Sequence, residues 1–326
     1  MDARRWHKIE DKGVPNNLNW KLKSLIQRTC AALPVGQESV YYFLQSNFGS
    51  MRRAPDPFPN LEDAATIGSE LLDLGFRFDG KRVMEVGTGR RLDMPLAFHL
   101  MGAASTATVD LHQYLRPEYA LAALRVMLER RNDVVRIFSP LVGSDMLTRR
   151  LDRLASVQSI EQLLALTGIE YHSPVDATKT SLPSASIDLQ FSYTVFEHIP
   201  REVLLGILSE CSRLLKPGGY ACHHIDLSDH FAHDDASITF INFLQFDERE
   251  WSRYNDNQFA YQNRMRVTDF EKLYKEARHK PVLWKPFTDK RGLAALAGGF
   301  PLAGQYRGVP HDILGTVVVR AISQPA

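Results

Sequence analysis

The sequence predicts an α/β protein: a seven-stranded, mostly parallel sheet with helices on both faces, an N-terminal helical cap and helical insertions. Three observations carry that prediction. An apolar run, Val83 to Val86, ends in Gly87-Thr88-Gly89 and passes into the apolar-periodic segment Leu92 to Met101, which reads as strand, tight turn and helix. Strand-like and helical runs then alternate, the pattern of a parallel sheet. Finally, Leu215-Lys216-Pro217-Gly218-Gly219 closes a helix directly before another strand.

Composition bounds the rest. The chain has 326 residues, 44% of them hydrophobic, which is ample for a large core. Lys+Arg minus Asp+Glu is 39 − 38, or +1, so no global field recruits nucleic acid or an anionic membrane. Cys30, Cys211 and Cys222 lack paired spacing, which points to reduced thiols and a cytoplasmic location. Met1 to Lys12 is charged and lacks a signal core. No apolar run approaches the roughly 20 residues that a membrane span needs. The oligomeric state is left open.

Taken in order, residues 1 to 20 are polar, with Trp6 and Trp20 as the large anchors. Leu22 to Leu33 and Ser39 to Phe48 read as amphipathic helices split by Pro34 and Gly36. The second is aromatic (Tyr41, Tyr42, Phe43, Phe48), and residues 1–60 are expected to form a cap over a bound ligand, with residues 61–326 the main domain. Met51 to Pro59 holds three prolines and reads as a linker, and Leu61 to Leu74 as a helix. After the glycine turn, Ser105 to Val109 is a second strand closing on Asp110. Residues 116–165 form a helical insertion whose arginines alternate with acids on a solvated face. Gly168 to His172 and Ile187 to Phe191 are strands three and four, and Arg201 to Leu215 is a helix. Tyr220 to Ile225 is strand five, and four histidines and two aspartates fall within residues 223–233 at its exit. A mainly helical lid is expected over about 228–280, then strands six and seven at Pro281 to Lys285 and Ile313 to Ala321, with Gly292 to Gly304 a flexible loop between them.

The ligand at the glycine turn follows from its neighbours. Leu92 stands where a dinucleotide fingerprint needs its third glycine. Glu85, two residues before Gly87, repels a pyrophosphate and suits a cation. Asp110, at the end of the next strand, is placed to accept from ribose hydroxyls.

Glu85-x-Gly87-x-Gly89 resembles motif I of the class I S-adenosylmethionine-dependent methyltransferases, whose cofactor carries a sulfonium and an ammonium. Arg91 departs from that motif, which often has glycine there. Phe196-Glu197-His198-Ile199 and Leu215-Lys216-Pro217-Gly218-Gly219 resemble later segments of the same family, so the resemblance covers about residues 80–227. It implies a Rossmann-like fold, and S-adenosyl-L-methionine bound by Glu85, Gly87, Thr88, Gly89, Asp110, Leu111, Asp176, Ala177, Ser192 and Tyr193. Asp176 would reach the adenine amino group. The Glu85 to Gly89 stretch, Ile225-Asp226-Leu227-Ser228-Asp229-His230 and Tyr261-Gln262-Asn263-Arg264 are together similar to bacterial methyltransferases associated with polysaccharide or glycoconjugate biosynthesis. That similarity implies a small-molecule or glycoconjugate acceptor.

Methylation of an alcohol needs help with its proton, and histidine is the natural base near neutral pH. His223 is the first candidate and His224 the second, on opposite faces of one strand, with His198 next. Asp226, Asp229, His230, Tyr261, Asn263, Arg264 and Arg266 are expected to meet the acceptor. The two arginines either grip an anionic group or form salt bridges within the lid. The spacing of His223, Asp226, Asp229 and His230 matches no specific zinc pattern, so no metal is expected. Two other classes compete. A nicotinamide-dependent oxidoreductase is disfavoured by Leu92 and Glu85, and binding of reduced nicotinamide would reveal it. A non-catalytic methyltransferase-like scaffold has no use for Glu85, Asp110 and Asp176 together. A nucleic-acid methyltransferase ranks low, because no Asn-Pro-Pro-Tyr-like tetrad follows strand four.

Overall fold

The computed structural model describes residues 18–37, 40, 56–257 and 259–326. The aromatic segment Tyr41 to Phe48 lies outside them. At the centre stands β1 (Arg82–Val86), paired in parallel with β2 (Ser105–Val109) on one side and β4 (Ile187–Tyr193) on the other. With β3 (Ile169–His172), β5 (Leu215–Asp226), β6 (His279–Thr288) and β7 (Thr316–Pro325), the order is β3-β2-β1-β4-β5-β7-β6. Only β7 runs antiparallel to both neighbours. The order reverses between β1 and β4, where open α/β sheets leave a crevice at the carboxyl ends of their strands.

Alternation along β1 explains the two layers. Val83 packs into one core, while Met84 and Val86 pack into the other. The first core takes in α2 (Phe58–Asp73), α3 (Asp93–Met101) and four further helices: α4 (Pro117–Glu129), α5 (Arg131–Phe138), α6 (Ser144–Leu154) and α7 (Ile160–Thr167). Those four are the insertion expected over 116–165. The second core packs α8 (Arg201–Leu214) and α10 (Val267–Glu276) on the opposite face. Between them in sequence, the lid segment holds α9 (Glu248–Asn255) and several single turns, and is less helical than its composition suggests.

Three expectations are corrected. Gly292 to Gly304 is not a loop at its start: α11 (Lys290–Ala297) forms there. Asp289 caps it, accepting from Gly292 N at 2.6 Å, and the run Leu293-Ala294-Ala295-Leu296-Ala297 favours helix. Strand seven begins at Thr316 because His311–Leu314 makes one helical turn, α12, first. Strand five begins at Leu215, so the Lys216 to Gly219 turn is an irregularity in its pairing with β4 and not a break before it.

The N-terminal helix α1 (Trp20–Ala31) packs against the lid segment. Trp20 lies between the rings of Phe231 and Tyr254, and its backbone N–H donates to Asp235 Oδ2 at 2.9 Å. No helix among the described residues is long and apolar enough to cross a membrane.

Candidate functional site

A cavity of about 970 Å³ opens at the carboxyl ends of β1, β2 and β4. Its floor is the turn after β1. Gly87 has φ +80°, and a Cβ there would lie 2.6 Å from Val195, so glycine is required on both counts. Gly89, at φ +68°, faces open space where a ligand can approach bare backbone. Glu85 is buried at the end of β1 and accepts from Thr108 Oγ1 at 3.0 Å and from the Thr88 hydroxyl. Burial pushes its pKa up to about 8, against the Thr108 bond. The carboxyl thus takes a proton unless a cation arrives.

Asp110 ends β2. Its Oδ1 accepts from Gly89 N at 3.3 Å, while Oδ2 is buried with no hydrogen-bond partner among the described residues. Burial raises its pKa to about 6, against the bonds from Gly89 and Tyr171. A carboxylate oxygen kept dry and unpaired at a cavity wall is an acceptor awaiting a donor. Asp176, Ala177, Leu111 and Thr88 complete this side. Arg91 explains its own departure from glycine: its guanidinium turns out to Asp93 at 2.8 Å, which Asn60 also holds at 2.8 Å.

The β4 side is different. Thr194 leaves the strand at φ +53°, a strained value for a branched residue, and lines the cavity with Val195, His198 and Tyr261. Tyr193 also lines it, and its hydroxyl donates to Asp63 at 2.5 Å. His198 sits in the turn Phe196–His198. Its Nδ1 lies 2.9 Å from the Tyr261 carbonyl oxygen. A carbonyl only accepts, so Nδ1 carries the hydrogen and Nε2 keeps a bare lone pair. Crowding by protein and the nearby His230 push its pKa down to about 4, an effect that water in the open cavity softens.

Several expected residues stand elsewhere. His223 and His224 do point to opposite faces, but into the two packed layers and not into the cavity. His223 Nδ1 pairs with Ser192 Oγ at 2.8 Å, and its ring stacks on Phe196. His224 stacks on Tyr193, 3.4 Å from the Arg320 guanidinium. Burial pushes both pKa values down to about 3. Ser192 is likewise buried, away from the cavity wall. Asp229 caps the following turn at Phe231 N (2.9 Å) and accepts from Asn242 at 3.0 Å. Asn263 ties the lid to Phe196 O and Ile199 O, at 2.8 and 2.9 Å. Arg264 is buried, donating to Phe243 O, Phe246 O and Glu248. Arg266 is buried, donating to Leu227 O, Leu314 O and Thr316 O. Both are buried and engaged: Arg264 ties the lid to itself, with Glu248 as the ion-pair partner within the lid, and Arg266 pins the lid to the exit of β5 and the start of β7. The sequence reading missed Thr108, Thr194 and Asn60. Thr108 carried a signal, since its spacing puts it beside Glu85 in β2.

Residues 135–223 match the family model described as a methyltransferase domain, a span from α5 through β5. That match covers about a quarter of the chain, and the sheet order and the cavity at the carboxyl ends of its strands agree with S-adenosylmethionine-dependent methyl transfer. No curated protein matches the chain. Among solved structures, it is similar to an S-adenosylmethionine-dependent methyltransferase from Mesorhizobium loti, at 16% identity over 81% of this chain and 99% of that one, with a TM-score of 0.43. It is also similar to the geranyl diphosphate C-methyltransferase of Streptomyces coelicolor A3(2), at 14% identity over 92% and 87%, with a TM-score of 0.42. Scores this low carry no weight for the reaction.

Proposed function

We propose that the chain methylates an oxygen of a small hydroxylated acceptor, a sugar or a glycoconjugate, and that His198 receives the acceptor's proton. The observation that carries this reading is the bare Nε2 of His198 at the cavity wall, fixed by the Nδ1 bond to Tyr261 O. Glu85, Gly87, Thr88, Gly89, Asp110 and Asp176 would hold the cofactor, whose sulfonium supplies an electrophilic methyl group. The unpaired Oδ2 of Asp110 suits a ribose hydroxyl, and the protonated Glu85 becomes an anion facing the ammonium. These groups lie on the β1–β3 side, and His198 faces them from the β4 side. The cavity volume is at the upper end of the roughly 300–1,000 Å³ usual for ligand sites, so it admits an acceptor beside the cofactor.

With the cofactor bound as methyl donor, Nε2 of His198 would take up the proton that the acceptor hydroxyl gives up as its oxygen is methylated. Tyr261 O stabilises the imidazolium by keeping its bond to Nδ1. Glycoconjugate acceptors are favoured by the similarity around residues 225–230 and 261–264, which belongs to the lid and the strand-five exit. Mass spectrometry of extracts given labelled cofactor tests the acceptor class. Methylated saccharides support it, and label confined to carbon or nitrogen positions contradicts it.

A further inference from the structure

We infer that Asp226, His230 and His233 form a binding site for a divalent transition-metal ion. Strand β5 delivers Asp226 at its last residue, and the single turn His230–His233 follows. In a 3₁₀ turn, residues three apart eclipse, so the two imidazoles project on one side. Their Nε2 atoms each lie 3.4 Å from Asp226 Oδ2, and the three donor atoms fall within 4.8 Å of one another.

Those distances suit an ion better than direct pairing. Nitrogen–oxygen hydrogen bonds favour about 2.7–3.2 Å, and His230 Nε2 is buried without a hydrogen-bond partner. Tetrahedral bonds of about 2.0–2.1 Å set neighbouring donors about 3.3–3.4 Å apart. Glu197 is an independent sign of a missing cation. It is 1% exposed, neither carboxylate oxygen has a hydrogen bond of ordinary geometry among the described residues, and one comes within 4.8 Å of donor atoms on His198 and His230. The buried Glu197 beside the half-buried carboxylate of Asp226, among imidazoles, is costly without a positive charge nearby.

The outer contacts hold the donors in place. Asp226 Oδ1 accepts from Ser228 N at 2.8 Å, and Asp229 caps the histidine turn. The Ser228 hydroxyl, 3.1 Å from His233 Nε2, would rotate away when an ion takes that nitrogen. Two imidazoles and a carboxylate suit zinc, cobalt, iron or manganese. Ligation does not depend on the methyl-transfer reading. It adjoins that reading because His230 meets the His198 ring edge-on at 4.8 Å, so an ion here would anchor the wall that positions His198.

The test is calorimetry of the tag-free, chelator-treated full chain with zinc alone, and the visible spectrum of its cobalt(II) form. One ion per chain is expected, with a tetrahedral cobalt spectrum. Binding should weaken at least about tenfold in H233Q and D226N and stay unchanged in H311Q. His233 is 39% exposed at its side chain, so H233Q is expected to fold, and circular dichroism checks it. Absence of stoichiometric binding, or equal binding in H233Q, overturns the site. Loss in H198Q with full binding in H233Q overturns the ligand set, moving the ion to Glu197, His198 and His230. Cofactor binding measured on the same samples separates failure of this site from failure of the methyltransferase reading.

Discussion

The two sides of the cavity are built on different terms. On the β1–β3 side, each chemical group stands at or just beyond the carboxyl end of a parallel strand: Glu85 on β1, Asp110 after β2, Asp176 after β3. Asp110 Oδ2 is left without a hydrogen-bond partner among the described residues, and Glu85 is forced toward the neutral form. On the β4–β5 side, the polar groups expected to meet an acceptor are mostly engaged in holding the protein together, with Glu197 and His230 Nε2 the exceptions. Arg264 and Arg266 are spent on main-chain carbonyls, Asn263 on Phe196 and Ile199, and Asp229 on a cap. The difference teaches that an unpaired buried acceptor marks a ligand better than a dense run of histidines does.

This contrast is sharpened most by the histidines themselves. His198→Ala should cut turnover by about 10²–10⁴ with cofactor affinity intact, the usual contribution of a general base. His223→Ala, which opens a buried site beside Phe196, should lower the melting temperature while turnover per folded molecule holds. Steady-state kinetics beside thermal melts decide the matter. Normal turnover in His198→Ala removes it as the base.

A smaller effect is expected at the turn. Gly87→Ala combines positive φ with a 2.6 Å contact to Val195, and should cost about 2 kcal/mol of stability in denaturant titration. An unchanged midpoint would show that the turn relaxes freely.

Glu85 offers a pH signature. Its ordinary pKa is 4.5, and its folded value is about 8. Below about 4.5 it is protonated in both states. Between those values only the folded state keeps the proton, so ligand-free stability falls as pH rises through that window. Glu85→Gln should flatten the fall. Cofactor binding near neutral pH should release up to one proton, read by calorimetry in buffers of different ionisation enthalpy, and Glu85→Gln should release none. Release that persists in the variant would assign the proton elsewhere.

Legibility followed the same divide. The glycine turn, the place of Asp110 at a strand end and the succession of mostly parallel strands were readable because parallel strands repeat one rule: an apolar run, then a polar end. The β5 exit was not. Alternation could say that His223 and His224 face opposite ways, but not that both faces are packed by helices. Arg264 and Arg266 looked free because nothing local in sequence announces the distant carbonyls, such as Leu314 O and Thr316 O, that take up their donors. Glu197 was visible within its motif, yet only burial reveals that it has no partner.

The central claim is that the β1–β3 side is a cofactor site, and Asp110 tests it most directly. Isothermal calorimetry of S-adenosylmethionine with the native chain should give saturable one-to-one binding. Asp110→Ala should weaken it by at least about 1.4 kcal/mol, a factor of ten, because the acceptor awaiting the ribose is gone. Equal affinity in the two proteins, or no saturable binding by the native chain, would contradict the account.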